Sequence, residues 1–293
     1  MTTHKRLSDL LRNCDSVYFS DRDKIVIMSD CHRGDASWAD NFASNQNIYY
    51  QALSHYYRNG YIYIEMGDGD ELWKNKSLSE IKEMHSDVFN LLSDFHRRDR
   101  LFMLFGNHDM AKKYGNFSSG YFCRENSPGC DRHFDNMKIH EGLLLRHKED
   151  GGTIFLVHGH QGDLINDRFW KLGRFLVRYI WRPLSFFGAN DPTLPAKNYK
   201  KKESTERKLA AFASEREQMM IAGHTHRPVF PKPKESLYFN DGCCVHPRSI
   251  TAIEICAGKI VLVKWRVAAH RDGSLFVQKE IIAGPHRLSE YFK

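Results

Sequence analysis

The sequence contains no apolar run approaching the ~20 residues of a membrane-spanning helix, which argues against an integral membrane protein. Residues 1–24 are polar and lack the apolar core of a secretory signal peptide. Cysteine is sparse: seven residues are scattered over the chain, which favours reduced thiols over a disulfide framework. Together these absences predict a cytoplasmic protein.

An acidic excess is also missing, and the net charge of +7 is concentrated in one segment. Residues 164–208 hold eleven Lys and Arg against four Asp and Glu, which accounts for the whole excess. The remainder is balanced, so we expect no specific binding of nucleic acid. Hydrophobic residues make up 41% of the chain, and we expect one domain over residues 1–293, with a basic aromatic insert at about 164–208.

Short β-rich runs alternate with helical patterns, which is typical of an α/β fold with βαβ units. The apolar runs lie at 24–30, 61–68, 100–109, 152–160 and 218–226. Helices are predicted over 45–60, ended by Gly60, and over 78–98 as one periodic segment. The tail adds the segments SLYFND, SITAIEIC and KIVLVKW, which we expect to be hairpin-connected strands.

Each of the five apolar runs leads into potential metal ligands. These are Asp30 and His32; Asp68; Asn107, His108 and Asp109; His158 and His160; and His224 and His226. Ligand sites collect at strand ends in α/β sheets. Glycines at 67, 106, 159 and 223 suit the sharp turns that such convergence requires. The repetition of the pattern therefore predicts a single site built from five loops.

The residue types favour two divalent metal ions. Imidazole combined with carboxylate suits Mn, Fe, Co or Zn better than Ca, and Mn²⁺ is our preferred metal. Asp68 is the predicted bridge, because one carboxylate can offer an oxygen to each ion. We assign the first ion to Asp30, His32, Asp68 and His226, and the second to Asp68, Asn107, His158 and His224. Two ions ~3.5–4 Å apart lower the pKa of a shared water and hold a phosphoryl group for in-line displacement.

His108 receives no metal in this assignment. Its place beside Asn107 suggests that both contact the phosphoryl group, with His108 as a general acid or charge stabiliser. Asp109 is expected either to orient His108 or to cap a turn. His160 is a further ligand or a supporting residue, and Glu71 is a hydrogen-bond acceptor near the site.

These motifs resemble those of the calcineurin-like metallophosphoesterase superfamily over roughly residues 24 to 265. They are Asp30-x-His32, Gly67-Asp68-x-x-Glu71, Gly106-Asn107-His108-Asp109, His158-Gly159-His160 and Gly223-His224-x-His226. The resemblance implies a four-layer αββα sandwich of two mixed β-sheets flanked by helices, with a dinuclear metal centre. It implies the same seven metal ligands and matches His108 to the family's catalytic histidine.

Within that superfamily, GDGDELW and GHTHRP are similar to the branch that contains UDP-2,3-diacylglucosamine hydrolases, which cleave a lipid-linked pyrophosphate. Two features depart from that branch. His108 stands where those enzymes usually carry Arg, and HGHQGD replaces a shorter HGD. Both departures move the sequence towards general phosphoesterases.

The insert has a basic and aromatic pattern. Arg168, Lys171, Arg174, Arg178 and Arg182 recur every three or four residues, which predicts one stripe of a helix. Three interpretations stay open. The stripe is a solvated face, or a helical cap in which Arg174 and Arg178 bind an anionic, partly apolar substrate, or a surface for peripheral contact with the inner face of the membrane.

We therefore predict a dinuclear metal-dependent phosphoesterase that hydrolyses a phosphodiester or pyrophosphate bond by attack of a metal-bound hydroxide. A lipid-linked nucleotide such as UDP-2,3-diacylglucosamine is the preferred substrate. The alternatives are a soluble phosphodiesterase or phosphoprotein phosphatase, and a non-catalytic scaffold with the same fold. A scaffold would usually have lost ligands, whereas all seven are present here.

Overall fold

The structure, a computed structural model, describes residues 2–37, 40–75, 77–113, 137–163, 170–181 and 199–292. The helices in these ranges are α1 (Thr3–Asn13), α2 (Gln46–Arg58), α3 (Leu78–Met84), α4 (Ser86–His96), α5 (Trp170–Leu176) and α6 (Tyr199–Glu215). Short helical turns occupy Met110–Lys113, His160–Gly162, Val177–Trp181 and Leu288–Glu290. None of the described helices is long and apolar enough to cross a membrane.

The strands form two mixed sheets. They are β1 (Asp15–Phe19), β2 (Lys24–Met28), β3 (Ile62–Met66), β4 (Leu101–Leu104), β5 (Ile139–His140), β6 (Gly142–His147), β7 (Thr153–Val157), β8 (Met219–Ala222), β9 (Tyr238–Asn240), β10 (Ser249–Cys256), β11 (Lys259–Ala269) and β12 (Leu275–Arg287). One sheet has the order β12-β11-β10-β2-β3-β4-β5, and the other β1-β6-β7-β8-β9.

Three apolar clusters separate four layers. One cluster fills the space between the two sheets and includes Ile27 and Ile64 from one sheet and Leu156 and Ile221 from the other. A second packs α2, α3 and α4 on the seven-stranded sheet. A third packs α1 and α6 on the five-stranded sheet. The predicted αββα sandwich is confirmed.

The parallel strands explain where the site lies. Strands β2, β3 and β4 run parallel in one sheet, and β7, β8 and β9 run parallel in the other. Such strands are covered on both faces, which matches their nearly continuous apolar sequences. Because the carboxyl ends of parallel strands lie at one edge, the loops that follow them meet above the sandwich.

Two secondary-structure predictions were wrong. The helix expected over 78–98 is divided at His85, whose φ of −119° interrupts it. The break lets the buried His85 ring pack on Phe42 and lie 3.5 Å from the Asp40 carboxylate. The segment SLYFND forms β9, which pairs parallel to β8 and not as a hairpin. Its three strand residues are all buried, as expected of a covered parallel strand.

His147 lies among acidic side chains at the end of the five-stranded sheet opposite to His158. Its Nδ1 is 2.7 Å from Asp150 Oδ1, and its Nε2 is 3.1 Å from both Asp21 and Glu149. Burial alone would lower the pKa of His147, but the hydrogen bonds and charges of these carboxylates raise it above its ordinary value.

This raised pKa predicts a pH-dependent contribution to stability. The contribution is complete below the unfolded pKa of about 6.5 and is lost as pH rises through the higher folded pKa. Urea unfolding of the wild type and of His147→Asn should therefore differ more at about pH 5.5 than at about pH 8.5. The partners are largely exposed, so we expect a difference of about 1 kcal/mol or less. An equal difference at both pH values would contradict the assignment.

Candidate metal centre

Six of the seven predicted ligands come together in two groups above the carboxyl ends of the strands. Asp30, His32 and His226 form one group, and Asp68, His158 and His224 form the other. Within each group one ligand atom from every residue lies within 4.8 Å of the others. The side chains are buried or nearly so, which separates the site from bulk water.

Asp68 joins the two groups. Its Oδ2 lies 3.2 Å from His158 Nε2 and 3.7 Å from His32 Nε2, so one oxygen faces an imidazole from each group. Asp30 makes a second connection, with Oδ1 3.0 Å from His226 Nε2 and 4.0 Å from His158 Nε2. The predicted bridging position of Asp68 is therefore geometrically available.

The hydrogen bonds of His158 indicate that a cation belongs here. Its Nδ1 lies 3.0 Å from the Met66 carbonyl oxygen, which can only accept a hydrogen bond. In the neutral imidazole the proton is thus on Nδ1, and the Nε2 lone pair faces the Asp68 carboxylate. Burial lowers the pKa of His158, but the Asp68 and Asp30 charges raise it to about 9, so the site favours positive charge.

His32 and His226 show the same arrangement. His32 Nδ1 donates to Glu71 Oε2 at 3.2 Å, which leaves its Nε2 lone pair facing His226 Nε2 at 3.3 Å. Two imidazole nitrogens this close beside the Asp30 carboxylate repel each other unless a proton or a cation lies between them. The donor set of imidazole and carboxylate fits a borderline divalent metal.

Asn107 completes the set. Its Oδ1 is buried and accepts no hydrogen bond in the described part of the chain, while its backbone oxygen accepts from Trp73 Nε1 at 2.7 Å. A buried amide oxygen without a partner costs about 1–3 kcal/mol, which coordination to a cation would offset. The residues present therefore fit the two-ion site predicted from the sequence.

The backbone at these positions is strained. Five of the seven ligands have φ in the left-handed region: Asp30, His32, Asp68, His224 and His226. Residues other than glycine rarely adopt this conformation, and such strain concentrates at functional sites. Gly106 and Gly223 allow the loops to approach closely. A Cβ at Gly106 would lie 2.2 Å from Asp68 Oδ1, and one at Gly223 would lie 2.7 Å from Asp30 Oδ2.

Each ligand carboxylate has one oxygen fixed by the protein. Asp68 Oδ1 accepts the His108 backbone N–H at 2.8 Å. Asp30 Oδ2 accepts the His224 backbone N–H at 2.8 Å and the Ser29 hydroxyl at 2.6 Å. The opposite oxygens, Oδ2 of Asp68 and Oδ1 of Asp30, are the ones that face the histidines.

Asp241 contacts Asp30 indirectly, through the Ser29 hydroxyl, and the sequence did not predict this supporting role. Its Oδ1 lies 2.8 Å from the Ser29 hydroxyl, which in turn contacts Asp30. Burial, together with the Asp30 charge, raises the pKa of Asp241 well above its ordinary value. Asp241 accepts from the Ser29 hydroxyl and is linked through it to the Asp30 carboxylate. The available signal was its place directly after β9, the same position that the ligands occupy after their strands.

His108 is held at the edge of the site by two contacts. Its Nδ1 lies 2.9 Å from Glu71 Oε1, and its ring stacks on Trp73 at 4.2 Å between centroids. Burial raises the pKa of Glu71, but the charges and hydrogen bonds of His108 and His32 lower it well below its ordinary value. Glu71 thus orients both a predicted ligand and the predicted catalytic histidine, which leaves His108 Nε2 for other partners.

Of the two roles expected of Asp109, the structure shows the capping one, because Glu71 and not Asp109 lies against His108 Nδ1. Asp109 instead accepts backbone N–H groups from Gly106 at 2.6 Å, Gly69 at 3.0 Å and Asp68 at 3.2 Å. Its carboxylate therefore fixes the loop after β3 to the loop after β4. This geometry makes Asp109 a positioning residue.

A buried ionic network extends this support. Arg33 binds Glu65 through two hydrogen bonds of 2.7 and 2.8 Å and Asp70 through one of 2.8 Å. Lys112 lies 2.8 Å from Asp70 and 2.6 Å from Asp109, and its side chain is fully buried. Burial raises the pKa of Asp70, but the two cations lower it below its ordinary value. The network ties the first three ligand loops together.

Arg178 has a structural role that the sequence did not predict. Its guanidinium donates to three backbone carbonyl oxygens, those of Leu72 at 2.7 Å, Asn75 at 2.8 Å and Trp73 at 3.0 Å. These bonds anchor the end of the α5 segment to the loop that carries Trp73. The side chain therefore has a structural role, and its predicted substrate contact stays a prediction.

The structure describes only some of the other residues predicted for the insert and the site. Arg174 lies on α5 and is partly exposed, so its substrate contact stays a prediction. Arg168 and Arg182 lie outside the described residues. His160 is buried with its ring 5.6 Å from that of His158, and it belongs to neither of the two ligand groups around Asp30 and Asp68.

The fold and the site together define a metal-dependent phosphoesterase architecture, and comparison with known proteins identifies the family. The calcineurin-like phosphoesterase family (Metallophos) matches residues 23–228, a range that contains all seven predicted ligands. The chain belongs to this family.

Two solved structures are similar to the chain at low identity. Vps29 from Chaetomium thermophilum is 11% identical with a TM-score of 0.40, covering 89% of this chain and 96% of that one. The same protein complexed with the RaPID-derived cyclic peptide RT-D3 is 9% identical with a TM-score of 0.37, covering 89% and 95%. A comparison with curated proteins gave no significant match.

The ionic network predicts a large difference between two adjacent lysines. Lys112→Met leaves the Asp70 and Asp109 carboxylates buried beside each other without their shared cation, which should destabilise the protein by about 3–5 kcal/mol. Lys113→Met changes an exposed neighbour and should cost less than about 0.5 kcal/mol. Denaturant unfolding of both variants checks this. Similar stabilities for the two would show that the network does not support the loops.

Proposed function

We propose that this protein is a phosphoesterase that uses two divalent ions, preferably Mn²⁺, to hydrolyse a phosphodiester or pyrophosphate bond. One observation carries the proposal: two groups of ligands share Asp68, and their imidazole lone pairs face carboxylates or each other. Bound ions would lower the pKa of a water molecule and neutralise charge on the phosphoryl group.

The predicted ligands divide between the two ions. Asp30, His32 and His226 would hold one ion, and His158, His224 and Asn107 the other, with Asp68 contributing to both. The hydrogen bonds on Asp68 Oδ1 and Asp30 Oδ2 orient these carboxylates before any ion binds. Preorganisation of this kind preserves metal affinity, because supporting partners typically contribute 10–100-fold.

His108 would contact the reacting phosphoryl group. Glu71 accepts from Nδ1, so a doubly protonated His108 presents its Nε2–H, which can donate a hydrogen bond or a proton to the leaving oxygen. The Trp73 ring, stacked on His108 with an interplanar angle of 21°, fixes the direction of that atom. A general acid at this place would assist departure of an alcohol or phosphate.

The α5 segment supports a substrate that is both anionic and apolar. The α5 helix lies directly on Trp73, since a Cβ at Gly173 would be 3.1 Å from its ring. Phe175, Leu176 and Tyr179 are 54%, 36% and 54% exposed, and Arg174 lies on the same short helix. A lipid-linked nucleotide diphosphate such as UDP-2,3-diacylglucosamine combines these properties. Peripheral contact with an anionic membrane would use the same surface.

Hydrolysis of a substrate panel tests the proposed function. The panel pairs lipid-linked with soluble pyrophosphates and includes phosphodiesters, phosphomonoesters and a phosphopeptide, with Mn²⁺ added or chelated. We expect metal-dependent turnover of pyrophosphates or diesters, and its loss in Asp68→Ala but not in the surface variant Asp94→Ala. Phosphopeptide turnover would favour a protein phosphatase. No turnover by fully loaded protein would favour the scaffold.

His108→Ala is expected to retain both metal ions and lower kcat by about 10²–10⁴-fold, the range for a lost general acid. Because good leaving groups need less protonation, the loss should shrink along a series of aryl phosphodiesters of falling leaving-group pKa. Metal analysis and kcat across that series check this. A loss that is equal across the series would assign His108 a purely electrostatic role, and loss of metal would make it a ligand.

Arg174 on α5 and Arg178 in the helical turn that follows it provide a matched pair. Arg174→Ala should lower kcat/KM more than tenfold for a large apolar diphosphate and little for a small chromogenic diester, since arginine binds phosphate through a planar fork. Arg178→Ala should lower both alike, because it detaches α5 from the Trp73 loop. Equal losses for both substrates in Arg174→Ala would show that the insert supports only the fold.

A further inference from the structure

The β12 strand forms an open edge of the seven-stranded sheet. It is 13 residues long and pairs with β11 on one side, while no strand among the described residues pairs with its other side. An unpaired edge of this length presents a row of backbone N–H and C=O groups that can bind another strand. Four of the nine large apolar side chains exposed in the described chain lie on this β11–β12 hairpin: Val267, Leu275, Ile281 and Ile282.

The features that usually prevent an edge strand from pairing with another chain, such as proline and unpaired charges, protect only part of β12. Pro285 lacks an N–H, and the pairing with β11 is irregular at Ile282, an extra residue between the partners of Val263 and Leu262. Residues 275–281 form the regular part of the edge. Charged side chains often deter association at an edge, but here they are already paired within the sheet. Lys279 lies 2.9 Å from Glu254 on β10, and Glu280 binds Arg266 on β11.

The available segment has a symmetric pattern. Residues 275–283 read LFVQKEIIA, so an apolar triplet and a second apolar triplet flank the polar triplet Gln278–Glu280. Leu275, Ile281 and Ile282 are 72%, 60% and 44% exposed. Reversing the segment about Lys279 places apolar positions on apolar positions and polar positions on polar ones.

We propose that this edge pairs with the same edge of a second copy of the chain, antiparallel and about a twofold axis at Lys279. Directly opposed residues in an antiparallel pair share one face of the sheet. The cross-strand pairs in the regular part of the edge are then Val277 with Ile281 and Gln278 with Glu280, while Leu275 and Phe276 lie against the irregular stretch that begins at Ile282. The two Lys279 side chains meet at the axis, each already balanced by its own Glu254.

Neighbouring registers are poorer. A twofold axis at Ile281 would set Val277 opposite Pro285, which has no N–H, and Lys279 opposite Ala283. An axis at Val277 would set the Lys279 ammonium opposite exposed Leu275. An axis at Glu280 would oppose two like carboxylates. The register centred on Lys279 therefore places apolar residues opposite apolar ones and avoids pairing with Pro285. For this reason a second copy of the chain fits this edge better than an unrelated strand.

The oligomeric state of the full chain tests the proposal. Sedimentation or light scattering over a range of concentrations should show a monomer–dimer equilibrium. Ile281→Lys and Ile282→Lys should each shift it to monomer, because they oppose a charge to Val277 or Phe276. Val267→Lys, on an exposed position one strand in from the edge, should leave the dimer intact. A monomer at every concentration, or a dimer that persists in both edge variants, would overturn it.

Cross-linking tests the register. In Lys279→Cys the introduced thiols of two copies face each other, so mild oxidation with diamide should produce a covalent dimer beyond that of the wild type. In Val277→Cys the thiols lie four residues apart along the strands, roughly 13 Å, and should not link. Linking in Val277→Cys but not in Lys279→Cys would refute the register. Circular dichroism of each variant verifies that it folds. If Lys279→Cys does not fold, the oligomeric state of Ile281→Lys compared with the wild type still tests whether this edge forms the dimer.

Discussion

The contact between the Asp68 carboxylate and two imidazoles is the constraint on which this structure depends. The oxygen that faces His158 and His32 meets lone pairs, because both Nδ1 atoms are committed to the Met66 carbonyl and to Glu71. Such an arrangement is unfavourable without positive charge at its centre. The loops that create it are held by buried ion pairs and by backbone in strained conformations, so the fold maintains a site that favours positive charge, either from protons on the imidazoles or from bound cations.

The two described ends of the insert are both tied to this site. At one end, α5 is anchored through Arg178 to the loop that carries Trp73, and Trp73 stacks on His108. At the other end, Glu206 of α6 accepts from Thr225 Oγ1 at 2.8 Å and pairs with Arg227, both within the GHTHRP loop. Both described parts of the insert therefore contact loops of the candidate site directly. A substrate bound against it would lie beside the residues that act on it.

Much of this site could be predicted from the sequence because its information is local. Carboxylate, amide or histidine side chains directly after an apolar run indicate a ligand loop at a strand end, and five such runs indicate that the loops form one site. Glu71 and Asp109 show the limit. Both are acidic and close in sequence to a ligand, yet only the three-dimensional arrangement decides which of them reaches His108 and which binds backbone amides.

The same limit explains the other errors. Helical periodicity in the insert correctly predicted a helix, but it could not show that Arg178 is turned towards carbonyl oxygens a hundred residues earlier in the chain. Periodicity over 78–98 continues through His85, whose contacts with Asp40 and Phe42 are long-range. Asp241 follows β9 as the ligands follow their strands, but only the three-dimensional arrangement shows that it reaches Asp30 through the Ser29 hydroxyl.

The most direct test of a shared, Asp68-bridged site is the electron paramagnetic resonance spectrum of the protein loaded with Mn²⁺, combined with metal analysis. We predict two ions per chain and the signal of an exchange-coupled pair, because ions that share a carboxylate oxygen ligand interact magnetically. Asp68→Ala should lose the coupling. A fully loaded wild-type protein that shows only the hyperfine pattern of isolated Mn²⁺, or that binds a single ion, would contradict the account.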